Sequence, residues 1–158
     1  MQHSIKVGLS FGLASGVITT LGLMVGLNAG TSSQMVVLGG ILTIAIADSM
    51  SDAMGIHMAE ESENVHTAKE IWVSTITTFI AKLIIALTFV VPVLLFELQT
   101  AVIVSVAWGL LLIIISTYFS AKKQKTGVIG PIVEHTLVIL LVVLATNFVG
   151  QAIAQSFA

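Results

Sequence analysis

Two aspartates, Asp48 and Asp52, lie within a long apolar stretch that runs from Gln34 to about Met58. Counted from Gln34 at about 1.5 Å per helical residue, Asp48 falls about 21 Å into an apolar layer about 30 Å thick. A carboxylate at that depth is costly, so it is normally paired, hydrated, or part of an ion or proton path. The chain offers one buried counter-charge. Lys82 lies about 17 Å along the third apolar segment when counted from Ile71, and a helical side chain leans toward its own N-terminus. Its ammonium is therefore expected near the level of Asp48, as a counter-ion that a transported cation would displace.

Softer ligands accompany the acids. Met50, Met54 and Met58 recur every four residues beside Asp52 and His57. Thioether, imidazole and carboxylate together suit iron(II) or a similar borderline ion, although methionine is also a common filler of core gaps. Beyond the apolar stretch come Glu60, Glu61, Glu63, His66 and Glu70. Glu63 and His66 have the Glu-x-x-His spacing of bundled metal sites. If the helix ran on unbroken, Asp48, Asp52, Glu63, His66 and Glu70 would share one face. The cluster reads either as a solvated acidic helix end or as a mouth that gathers divalent cations by its field.

The elements that must position these groups are membrane-crossing helices. With 56% hydrophobic and 9% charged residues and a mean hydropathy of +1.08, the composition departs from that of soluble domains, about a quarter of which is charged. Five apolar segments are expected, at about 5–27, 34–58, 71–96, 100–119 and 132–154, forming a single all-α membrane domain over 1–158. The first is expected to stay in the mature chain, because its apolar run exceeds that of a signal peptide. With five crossings, Lys6, Lys69, Lys122, Lys123 and Lys125 fall on one side. The positive-inside rule then places the N-terminus in the cytoplasm and the C-terminus opposite, in a multi-pass protein of the plasma membrane if the source is prokaryotic.

On the first segment, Gly8, Gly12, Ser15, Gly16, Thr19, Gly22 and Gly26 gather on one face. Small residues at this spacing allow close helix approach in lipid. The partner is either a neighbouring helix of the same chain or the first helix of a second copy, in which case Gly12, Ser15, Gly16 and Thr19 would line a two-fold seam. Asn147, Gln151 and Gln155 form a polar stripe on the last segment, suited to bonding between helices. No cysteine is present, which leaves no thiolate chemistry. All six basic residues are lysines and the net charge is -2, which argues against nucleic acid as a partner. Neither a hydrolase triad nor a phosphate-binding loop is legible, so no enzymatic activity and no cofactor are expected.

The order of these motifs resembles the vacuolar iron transporter family. GLASGVITTLGLMVGLNAG is similar to the family's NDGxVSTLGLVxG helix, ADSMSDAMG stands at its GAxSMAxGE segment, and TTFIAKLIIALTFVVP resembles TFxAFxxxALxP. The tail from Ser116 to Ile153 follows its last two helices. Ser15 stands where the family has a pathway aspartate, Met54 where it has a glutamate and Lys82 where it has an aromatic. The long cytoplasmic insertion between helices 2 and 3 is reduced to the stretch from Glu60 to Lys69. The resemblance implies a five-crossing homodimer that carries iron(II) or manganese(II). Because protonation of a carboxylate competes with metal, export in exchange for protons is expected, with Asp48 and Asp52 binding and exchanging the ion, Met50, Met54 and His57 adding softer ligands, and Glu60, Glu61, Glu63 and His66 capturing it. The residues alone also allow a monovalent cation/proton exchanger or a non-transporting membrane subunit.

Overall fold

The computed structural model describes residues 1–157. Its elements are α1 (Gln2–Thr31), α2 (Gln34–Glu63), α3 (Ala68–Thr88), α4 (Val90–Leu95), α5 (Leu98–Gln124) and α6 (Ile129–Phe157), with no strand among the described residues. Five helical stretches are long and apolar enough to cross a membrane, α3 and α4 together making the third. Large apolar side chains cover the outside: Met35, Leu144 and Phe148 are exposed. That surface is at home in hydrocarbon and not in water.

Local chemistry sets the boundaries, which lie further out than the apolar runs. Ser32 takes a left-handed backbone (φ 48°) that ends α1, and the Ser33 side chain accepts from the Val36 amide to start α2. α2 continues past Met58 to Glu63 and stops at Asn64, again left-handed with φ 53°. Asparagine tolerates this conformation better than most residues. Thr67 and Glu70 then form a reciprocal capping box that opens α3 at Ala68, three residues before the apolar run begins. The single continuous helix that would have aligned Glu63, His66 and Glu70 with the aspartates is thereby broken. The third crossing is also interrupted, at Phe89. Pro92 has no amide hydrogen and its ring crowds the carbonyl four residues back, at Thr88, so the regular ladder ends there and resumes as α4.

α1 is the hub of the bundle. Its first half lies along α3: a Cβ placed on Gly8 would come 2.7 Å from the Ser74 carbonyl oxygen, and one on Gly12 would come 2.7 Å from that of Thr78. Its second half lies along α6, where a Cβ on Gly22 would meet Val142 at 3.0 Å and one on Gly26 the Thr146 carbonyl oxygen at 3.4 Å. Both sets of contacts rise together in residue number, so α1, α3 and α6 run parallel, as alternate members of an up-and-down bundle do. The apolar core, with Val17, Leu21, Met24, Val37, Ile41, Phe89 and Ile113, fills the half of the bundle beyond Lys82.

A candidate cation site between α1, α2 and α3

Lys82 is fully buried, 1% exposed. Its Nζ lies 2.5 Å from Asp52 Oδ2 and 2.6 Å from Asp48 Oδ2. It also donates to Ser15 Oγ at 2.9 Å, while the Ser15 hydroxyl donates to Asp52 Oδ2 at 2.6 Å. The three groups thus close a ring in which Ser15 both accepts and donates, as a hydroxyl can. Asp48 is held differently. Its Oδ2 is close to the ammonium but lies off the direction that a hydrogen bond needs, so its contact is Coulombic.

The backbone explains why this ring forms. Gly12 and Gly16 let α1 approach α3 beside Lys82: a Cβ on Gly12 would be 3.1 Å from the Lys82 amide nitrogen, and one on Gly16 would be 3.3 Å from its carbonyl oxygen. That approach brings Ser15 to the ammonium, and Thr19 bonds back to the Ser15 carbonyl at 2.9 Å. One turn of α2 separates Asp48 from Asp52, which lets one lysine face both. The site carries two carboxylates and one ammonium. The aspartate side chains are 29% and 20% exposed, so they open toward the flank of the bundle while the lysine stays inside.

This geometry corrects the two-fold seam. Gly12 and Gly16 are occupied by α3 of the same chain, Ser15 is bonded into the charged ring of the protomer, and the Thr19 hydroxyl is taken by the Ser15 carbonyl, so the two glycines and Ser15 are engaged within the chain rather than left for a second copy. The small residues of α1 serve intramolecular packing on α3 and α6.

The other expected ligands do not converge on the ring. Met50, Met54 and Met58 are more than half exposed, on the outward face of α2. The inward face instead carries Ala45, Ser49, Ala53 and Glu60. His57 Nδ1 is hydrogen-bonded to Thr75 Oγ1 at 3.0 Å, and its ring packs edge-to-face with that of Trp72, the ring centroids 4.8 Å apart. Glu60 is buried and accepts from Ser74 Oγ. Glu61 is exposed, and Glu63 pairs with His66 at 3.2 Å. Glu70 is taken by Thr67 and by the N-terminal amine, 3.1 Å away. Among the described residues, no group of three or more His, Asp or Glu side chains is placed to hold a metal ion. On α6, Gln151 is exposed rather than bridging, and Gly150 next to it packs against α1.

Sequence reasoning did not assign Ser15 to this ring, nor did it join Asp52 to Lys82. It also passed over the pairing of Thr117 Oγ1 with His135 Nδ1 at 2.9 Å. The available signal was the depth of Ser15, which matches that of Lys82 once α1 and α3 are taken as parallel neighbours.

The fold defines a class, an all-helical bundle with five helices able to cross a membrane and a charged ring in its interior. No family profile, curated protein or solved structure matches the chain.

Proposed function

We propose that the protein is a membrane transporter that moves a divalent cation, manganese(II) or iron(II), out of the cytoplasm in exchange for protons. Asp48 and Asp52 are the exchanging ligands and Lys82 is the internal cation that holds their place. One observation carries this reading: a fully buried ammonium paired with two partly exposed carboxylates. An interior charge is tolerated only when compensated, so the aspartates must hold Lys82, protons or an incoming cation. Competition among those three occupants is what couples two flows. When the ammonium withdraws, the ring offers two carboxylates and the Ser15 hydroxyl, an all-oxygen set that favours a hard cation such as manganese(II) over softer ones. The motif resemblance implies the same substrates and a homodimeric assembly, and the placement of the lysines implies a cytoplasmic N-terminus.

A monovalent cation/proton exchanger is the second reading. It is favoured by the absence, among the described residues, of a third acidic or imidazole ligand near the ring. Purified protein in liposomes, with metal-sensitive and pH-sensitive dyes inside, separates the two. Coupled manganese(II) and proton movement that is abolished by Asp48→Asn with Asp52→Asn supports the divalent reading. Proton movement driven by sodium or potassium alone supports the second. No cation-dependent flux from any arm overturns both and leaves a non-transporting subunit.

A further inference from the structure

A second polar feature lies on another face of α1. A cavity of about 260 Å³ opens between α1, α5 and α6 at the lysine-rich end of the bundle. Its lining changes along the bundle axis. The deeper wall is apolar, with Ile18, Ile113 and Ile139, whereas Ser120, Gln124 and Thr126 line the end nearest the α5–α6 connection. Lys6 stands one turn before Ser10 on the α1 wall, and Lys123 adjoins Gln124 on the α5 wall. Their ammonium groups are near enough to repel each other. No carboxylate relieves them: none of the ion pairs among the described residues involves Lys6, Lys122, Lys123 or Lys125. Lys122 is directed instead over the Tyr118 ring, 5.7 Å from its centroid. Glu134 is the sole acidic residue of α5, α6 and the segment joining them, and it is exposed.

Two neighbouring like charges at the lysine-rich end of the bundle, each within one turn of a residue that lines the cavity, are an unfavourable arrangement that an anion between them would turn to advantage. The apolar interior asks for something more than an anion. We infer that the cavity holds one anionic phospholipid, its phosphate between Lys6 and Lys123 and the start of one acyl chain against Ile18, Ile113 and Ile139. Free phosphate would satisfy the rim and leave the apolar wall bare. A zwitterionic lipid would fill the wall while bringing its own cation to the lysines. The anionic lipid alone meets both ends of the cavity, and basic residues at a membrane edge are where such headgroups gather.

The test is native mass spectrometry of the whole protein released from vesicles containing equal phosphatidylglycerol and phosphatidylcholine. The wild type is expected to retain one phosphatidylglycerol in preference. Lys6→Gln with Lys123→Gln should lower that preference by about thirtyfold, two lysines each contributing about a fivefold gain near an anionic surface. Lys122→Gln with Lys125→Gln, which keeps the rim, should leave it within about twofold, since those charges lie outside the proposed contact. Ala14→Phe, which fills the cavity without changing charge, should abolish retention. Folding of the rim variant is checked in lipid-free detergent, where relief of the repulsion predicts a melting temperature no lower than wild type. The inference is overturned if the rim variant keeps its preference, if the Lys122 and Lys125 variant loses as much, or if inorganic phosphate alone displaces the lipid.

Discussion

Replacing Lys82 by methionine removes the ammonium while nearly keeping the side chain's length. What remains is a pair of aspartates that share one turn of α2, with Ser15 as the only neutral donor to Asp52. Breaking a buried ion pair from one side strands the partner charge and costs about 3–5 kcal/mol, so a loss of about 4 kcal/mol is expected for Lys82→Met. Removing the stranded carboxylate as well should recover part of that loss. The assay is denaturation in detergent, in a double-mutant cycle with Asp52→Asn and with Asp48→Asn. Coupling should be larger with Asp52, which Lys82 approaches with hydrogen-bond geometry, than with Asp48, which it meets by Coulomb attraction alone. Additive effects for both pairs would refute the reasoning.

Three further outcomes test the architecture. Gly12→Leu should destabilise the fold by about 2 kcal/mol or more, through overpacking against the Thr78 carbonyl; thermal melting at unchanged mass would show that the damage lies within the protomer. Replacing Met50, Met54 and Met58 together by leucine should leave manganese(II) affinity, read by calorimetry, within about twofold, because thioethers that face outward contribute no ligand. Thr67→Ala should cost about 1 kcal/mol by undoing the capping box, and amide exchange should rise first in the opening turn of α3.

What the sequence could and could not disclose follows from the solvent. In a bilayer the outside of a helix is as apolar as its inside, so the amphipathic pattern that orients a helix in water is weak here. The apolar runs were legible because their length answers to the thickness of a membrane. Their exact ends were not, because Asn64, the Thr67–Glu70 box and the Pro92 break act through local backbone chemistry rather than through hydropathy. The depths of Asp48 and Lys82 could be counted in residues from the segment ends, and depth alone puts an acid and a base at one level. Rotation cannot be counted in that way. The four-residue spacing of the methionines defines a face, and nothing in that spacing says whether the face looks toward lipid or toward α3.

Glycine carries the missing rotational information. A glycine in a membrane helix marks where a backbone comes close, and on α1 the marks divide: Gly8 and Gly12 fit α3, while Gly22 and Gly26 fit α6. A single stripe of small residues therefore serves two neighbours in succession, which is why it can be mistaken for the contact face of a second copy. The division also fixes the chemistry. Where the stripe leans on α3, Ser15 is brought to within 2.9 Å of the Lys82 ammonium, and the hydroxyl becomes the third member of a ring otherwise made of Lys82 and Asp52. A bulky side chain at Gly12 or Gly16 would move Ser15 away and leave the ammonium with the carboxylates alone. The packing of α1 is thus part of the charged site, and the geometry of the ring depends on how closely two backbones can approach.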